Sequence, residues 1–174
     1  MSKNSGIVYW LMPAEPEREL FCEIIRILHK QYDGPSFDPH LTVLVTKDDR
    51  QSPADVLKQI KASPIRLTVQ GISFADEFTK TLFVRMESSK PLEELVVDLG
   101  RATKSRTKSV GEPHVSLLYK ELAPSVKKEL ASTIQLPFHE VTFDSIKAVS
   151  CPLPVRSSAD VEAWRVIATK SFRE

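Results

Sequence analysis

The sequence predicts an α+β fold: a bilobal, pseudo-twofold arrangement of two small antiparallel sheets facing a central cleft, with helices outside. Three observations carry this. The phrase "FDPHLTVLV", Phe37 to Val45, returns in altered form as "GEPHVSLLY", Gly111 to Tyr119, and His114 follows His40 by 74 residues. The same offset brings Asp38 onto Glu112, Pro39 onto Pro113, Thr42 onto Ser116, Tyr9 onto Phe83, Thr68 onto Thr142, Val69 onto Phe143 and Ile72 onto Ile146, the mark of an internal repeat. Helices alternate with strands, yet hairpin-like neighbours at Ile65–Ala75 and Lys80–Glu87 favour antiparallel pairing.

Each half has the same order of elements. "GIVYWLM" is a short apolar run with Val, Tyr and Trp, a strand. "EPERELFCEIIRILHKQY" carries a helical stripe of Leu20, Phe21, Ile24, Ile25, Leu28 and Tyr32, stopped by Asp33-Gly34-Pro35. The first histidine phrase follows as a strand. "SPADVLKQIKA" is a short helix with Ser52 as cap and Pro53 in its first position. "PIRLTVQGISFA" alternates Ile65, Leu67 and Val69, a strand. The second half reads "KTLFVRME" as strand, "PLEELVVDLGRATK" as helix with Leu92, Leu95, Val96 and Leu99 on one face, the second phrase as strand, "APSVKKELASTI" as helix and "HEVTFDSIKAVS" as strand. "VEAWRVIATKSF" is expected to be a last strand. Asp76–Thr79 and the proline-bearing Pro152–Asp160 are expected to be loops.

At 174 residues the chain suits one domain, residues 1–174, made of the two half-repeats. Hydrophobic and charged contents of 41% and 27% fit a soluble protein, and a net charge of +1 gives no global field for nucleic acid or membrane. The apolar run near the start is short for a secretory signal and no window reaches the length of a membrane span, so a cytoplasmic monomer is expected. Cys22 and Cys151, the only cysteines, form no C-x-x-C pair and are expected to be buried or partly buried thiols.

In a strand, residues i and i+2 share a face. His40 and Thr42 therefore point one way, with Leu41 and Val43 turned to the core; His114 and Ser116 do the same, with Val115 and Leu117 behind. A twofold between the halves would gather two imidazoles and two hydroxyls around one point. That set suits hydrolysis of a phosphodiester, which needs a base for the attacking water, an acid for the leaving oxygen, and donors for the phosphate oxygens. A lone histidine at a strand start is ordinarily structural; here the pair recurs in register. His29 and His139 lack such company and read as surface or packing residues. Asp38 and Glu112 could join the histidines around a metal, but each precedes a proline at a strand entrance, and no metal or other cofactor is expected.

At these residues the chain resembles the two-histidine (2H) phosphoesterase superfamily, whose signature is two H-x-[ST]-Φ tetrapeptides, here His40-Leu41-Thr42-Val43 and His114-Val115-Ser116-Leu117. Within it, "VYWLMP", "GPSFDPHLTV", "PHVSLLYKEL" and "EAWRVIA" resemble the small cyclic phosphodiesterases of the plant and yeast type. The resemblance implies a LigT-like fold and metal-independent hydrolysis of ADP-ribose 1'',2''-cyclic phosphate, a by-product of tRNA splicing, and of nucleoside 2',3'-cyclic phosphates. It makes His40 and His114 the acid–base pair and Thr42 and Ser116 the phosphate holders. Tyr119 and Trp164 match cleft-lining positions, though aromatic packing in a strand explains them equally; Phe78 and Phe83 are weaker candidates for contact with a base or ribose. The extra cysteines that form disulfides in plant members are missing here.

Two other functions compete. Bacterial relatives act on 2',3'-cyclic ends of RNA and can join RNA through 2'-5' bonds, and "RATKSRTK" offers Arg101, Lys104, Arg106 and Lys108 to a phosphate chain. The same cations suit a helix C-terminus, so a small cyclic nucleotide is the expected substrate. A non-catalytic module that grips cyclic phosphates or RNA ends is the third reading.

Overall fold

The computed structural model describes residues 4–47, 51–105 and 111–173. Its elements run β1 (Asn4–Pro13), α1 (Glu17–Tyr32), β2 (Leu41–Thr46), α2 (Pro53–Gln59), β3 (Ile65–Phe74), a 3₁₀ turn (Phe78–Lys80), β4 (Leu82–Met86), α3 (Lys90–Thr103), β5 (His114–Leu118), α4 (Pro124–Thr133), β6 (Glu140–Leu153), α5 (Ser158–Glu162) and β7 (Arg165–Ser171). All strand pairs are antiparallel, in the order β1-β2-β5-β4-β3-β6-β7, with β1 also paired to β6. The first six strands thus close on themselves and β7 extends β6.

The two expected sheets are the halves of this ring, and they meet at two seams. At one, Leu41 pairs with Val115. At the other, Leu67 pairs with Val141, flanked by Arg66 with Thr142 and Thr68 with Glu140. Each central pair is separated by the repeat offset, and the two flanking pairs are images of each other under it. The offset seen in the sequence is therefore the pseudo-twofold of the fold. The ladder corrects one match. Opposite Thr42 on β2 stands Trp10, and opposite Ser116 on β5 stands Phe83. Phe83 is thus the counterpart of Trp10, not of Tyr9. Irregularities between Tyr9 and Trp10 and between Leu82 and Phe83 accompany this register.

β1 is buried on both faces, which is why its apolar run is continuous rather than alternating. Ile7, Tyr9 and Leu11 join the main core, whereas Val8, Trp10 and Met12 pack with Val149 and Cys151 on the other side. The helices cover the main core with the apolar faces read from their periodicity: Phe21, Ile25 and Leu28 from α1, and Leu92, Leu95, Val96 and Leu99 from α3. The two long helices cross over, α1 packing on β5 and α3 on β2, so each supports the other half's histidine strand. Leu20, at the start of the apolar stripe of α1, is exposed, and so is Cys22, expected to be buried or partly buried: both lie at the edge of the face that packs on the sheet. His29 bonds the Gly34 carbonyl and closes the end of α1; His139 is exposed at the start of β6.

The C-terminal region differs from expectation. Ser157 and Asp160 form a reciprocal capping box that starts α5, so the segment read as loop and early strand is a helical turn, and β7 begins only at Arg165. Among the described residues no helix is long and apolar enough to cross a membrane.

Candidate active site

His40 and His114 enter the cleft from equivalent places, at the starts of the two strands that meet at the first seam. Proline precedes each, and the chain ahead of it turns so that the imidazole reaches back to its own main chain. His40 Nδ1–H donates to the Asp38 carbonyl at 2.7 Å, and His114 Nδ1–H donates to the Glu112 carbonyl at 3.1 Å. A carbonyl only accepts, so Nδ1 carries the proton in both rings and Nε2 is left to exchange one. The acidic residues before the prolines thus hold the histidines in place through their carbonyls. The Glu112 carboxylate turns instead to Arg85.

The histidines, Thr42 and Ser116 all line one cavity of about 560 Å³. Leu41, Val43, Val115 and Leu117 lie behind them in the core, as period-two alternation requires. The cleft is more aromatic than two polar strand faces would suggest. Trp10 stacks on His40 with centroids 3.8 Å apart and planes 16° from parallel. Trp164 stands edge-on to both, 4.9 Å from Trp10 and 5.7 Å from His40. Phe83, the counterpart of Trp10, meets His114 edge-on at 5.4 Å and backs it rather than lining the cavity. Tyr119 is buried, stacked on Phe37 at 4.1 Å, and Phe78 lies 5.8 Å from it. Both Tyr119 and Trp164 reach the cavity, Trp164 from the turn after α5 and not from within a strand. Its Nε1–H is buried without a hydrogen-bond partner among the described residues.

Two segments rim the cavity: Glu77–Lys80, between β3 and β4, and Leu153–Arg156, at the end of β6 and beyond. Each contributes one cation, Lys80 and Arg156. The Ser116 hydroxyl donates to the Thr79 carbonyl of the first rim at 2.7 Å.

The two imidazoles differ in environment. Burial pushes the His40 pKa down to about 4; its bond to Asp38 opposes this, and the charges of His114 and Lys147 add to it. His114 is less buried. Its pKa is also lowered, by burial first, with Lys80 lowering it further while the Glu112 carbonyl bond and the charges of Glu112 and Glu77 raise it. Cys151 lines the cavity with its thiol pushed up to about 11 by burial, far from the thiolate a nucleophile would need. Among the described residues no group of three or more His, Cys, Asp or Glu could hold a metal ion.

Sequence reasoning missed Trp10, Lys80 and Arg156, and named the rim segments only as loops, with Phe78 a weaker contact candidate. Trp10 was legible in part, since Val8, Trp10 and Met12 alternate onto one face. The rims carry no periodic pattern. Of the basic cluster, Arg101 and Lys104 lie at the end of α3 and do not line the cavity, with Arg101 4.0 Å from Asp98; Arg106 and Lys108 lie outside the described residues.

Comparison with known proteins places this architecture. The family described as "Cyclic phosphodiesterase-like protein" matches residues 5–172. A cyclic phosphodiesterase of Arabidopsis thaliana is 26% identical over 170 residues, covering 91% of this chain and 91% of its own length. Among solved structures, E. coli LigT complexed with NADP+ is similar with a TM-score of 0.60 at 11% identity, over 99% of this chain and 100% of that one. TT0787 of Thermus thermophilus is similar with a TM-score of 0.60 at 17% identity, over 97% and 98%. These structural likenesses establish the LigT-like fold.

Proposed function

Since the chain belongs to the cyclic phosphodiesterase-like family of the 2H phosphoesterases and is an enzyme acting on cyclic phosphodiesters, we propose that it hydrolyses small ones without a metal: nucleoside 2',3'-cyclic phosphates and ADP-ribose 1'',2''-cyclic phosphate. The observation that carries this is the matched pair of imidazoles. Each is bonded through Nδ1 to a carbonyl two residues back, and both line a cavity whose volume of about 560 Å³ suits a small ligand.

The chemistry follows from the difference between the rings. Burial first, and the charges of His114 and Lys147 after it, disfavour the imidazolium at His40, so His40 starts neutral and is the base. His114 is the acid. It is the less buried ring, Glu112 and Glu77 favour its charge, and an anionic phosphate beside it would favour that charge further. Nε2 of His40 takes a proton from water as the water oxygen bonds to phosphorus. The bond from phosphorus to one ribose oxygen breaks, and that oxygen takes the proton from Nε2 of His114, leaving a phosphomonoester. Thr42 and Ser116 donate to the non-bridging oxygens, where charge builds; Ser116 must first turn its hydroxyl from the Thr79 carbonyl. Tyr119, Trp164 and Phe78 form the wall for ribose and base, with the unpartnered Trp164 Nε1–H as a donor to the ligand. On this reading the protein works as a cytoplasmic monomer and needs no long RNA.

The test compares kcat/KM for cyclic mononucleotides and ADP-ribose cyclic phosphate with that for an oligonucleotide bearing a cyclic end, at two salt concentrations. The small substrates are expected to match or exceed the oligonucleotide, with little salt dependence, because few phosphates are neutralised. An oligonucleotide favoured by orders of magnitude, with an advantage that collapses in salt, would make this an RNA-end enzyme. No turnover of any of them, with binding retained, would make it a binding module.

A further inference from the structure

Lys127, on α4, is 4% exposed, although it lies outside the cleft. Burying an ammonium is unfavourable unless its protons are taken, and an apolar side chain of similar length would pack as well. Its protons are taken by one short segment. Nζ donates to the Ala75 carbonyl at 2.8 Å and to Asp76 Oδ1 at 3.0 Å. The Asp76 side chain is 98% exposed, so solvent screens that pairing and the main-chain carbonyl is the firmer anchor.

The anchored segment continues directly into the first rim of the cleft, where Glu77, Phe78, Thr79 and Lys80 are four consecutive lining residues. Two more ties hold the rim. Thr81 is 2% exposed; its hydroxyl donates to the Phe78 carbonyl at 3.0 Å and accepts from the Lys120 N–H at 3.2 Å. Ser116 bonds the Thr79 carbonyl. The rim is thus held from α4, from β5 and from the chain just beyond β5, and α4 supplies the only charged tie among these three.

We propose that Lys127 is a positioning residue of the cleft: from outside, it clasps the segment Ala75–Lys80 so that this rim is a preformed wall for the substrate. This rests on the reading of the cleft as the cyclic phosphodiester site. The strands place the histidines, and the rim charges of Lys80 and Glu77 act on His114 in opposite senses, so loosening the rim weakens binding and moves the chemical step little.

The experiment measures KM, kcat and hydrogen exchange of the 75–81 segment in wild type, Lys127→Met, Lys127→Arg and Asp76→Asn. Lys127→Met is expected to raise KM about tenfold, the scale of losing hydrogen bonds to a charged group, with kcat within about threefold of wild type. Exchange should quicken at 75–81 and not in β2 or β5. Lys127→Arg, which keeps donors at that place, should recover most of the KM, and Asp76→Asn should behave as wild type. A fall in kcat at unchanged KM, as partial unfolding would give, overturns the proposal, and so does unchanged exchange at 75–81. If Lys127→Met does not fold, Thr81→Val loosens the same rim from its other end; it is expected to raise KM and quicken the same segment, and an unchanged KM there overturns the proposal. If wild type turns over no cyclic phosphodiester, the functional reading fails separately. Exchange at 75–81 then decides the clasp alone, quickened in support and unchanged against.

Discussion

His40 offers a prediction whose size follows from its surroundings. The ring is 6% exposed and stacked on Trp10, and burial lowers its pKa from 6.5 to about 4. In the unfolded chain the same imidazole takes up its proton near the ordinary value. Between these two values the unfolded state binds more protons than the folded one, so stability rises with pH and is lost as pH falls. For this single group the loss is about 2 kcal/mol from pH 7 to pH 5 and about 3 kcal/mol by pH 4. His40→Gln removes the titrating ring and should remove that much of the acid sensitivity, whatever it does to stability at pH 7. His114 is shifted in the same direction and its charge is one cause of the His40 shift, so the difference between the two curves reports His40 together with its coupling to His114. Urea denaturation at pH 7, 6, 5 and 4 supplies the curves, and an NMR titration of the imidazole supplies the pKa directly. Parallel curves, or a ring that titrates near 6.5, would refute the claim that burial holds His40 neutral and would remove the ground for choosing it over His114 as the base.

His40→Ala and His114→Ala should each lower kcat by about 10²–10⁴-fold in a protein that still melts cooperatively, since each removes one proton-transfer group; near-normal turnover in either would dismiss the paired mechanism. Asp38→Asn should keep kcat/KM within about threefold, because His40 bonds the Asp38 carbonyl, and Glu112→Gln should lower it by no more than about tenfold, because the carbonyl still holds His114 and the carboxylate charge is one of the smaller influences on that ring; steady-state kinetics decides, and a loss of orders of magnitude would give the carboxylates a direct role. EDTA should leave the rate unchanged, the histidines supplying the proton transfers that a metal-bound hydroxide would otherwise supply; activity lost and then restored by one divalent metal would contradict the mechanism.

The amino-acid order by itself determined the architecture and brought the two histidine faces of the candidate site together. Period-two alternation put His40 and Thr42 on one face and Leu41 and Val43 on the other, because side-chain direction in a strand depends on the backbone alone. The 74-residue offset fixed which strands would be related by the twofold, and the seams at Leu41–Val115 and Leu67–Val141 lie on it. What depends on distant parts of the chain was not legible. The pairing of Trp10 with Phe83 is one residue from the offset because strand register, read across irregular pairings, is settled between strands and not along one. The capping box of α5 was spelled in Ser157 and Asp160, but a helix of five residues has no periodicity to declare itself. Lys127 reads as an ordinary surface lysine until the segment from β3 to β4 folds over it. The difference between the two histidines is decided only in three dimensions. Asp-Pro-His and Glu-Pro-His are nearly the same words, with the same bond from each ring to its own main chain. Tertiary packing lays an indole flat on one ring and leaves the other partly open beside Lys80, Glu77 and Glu112, and the free energy of carrying a proton follows the solvent and charge around a ring, not its neighbours in sequence.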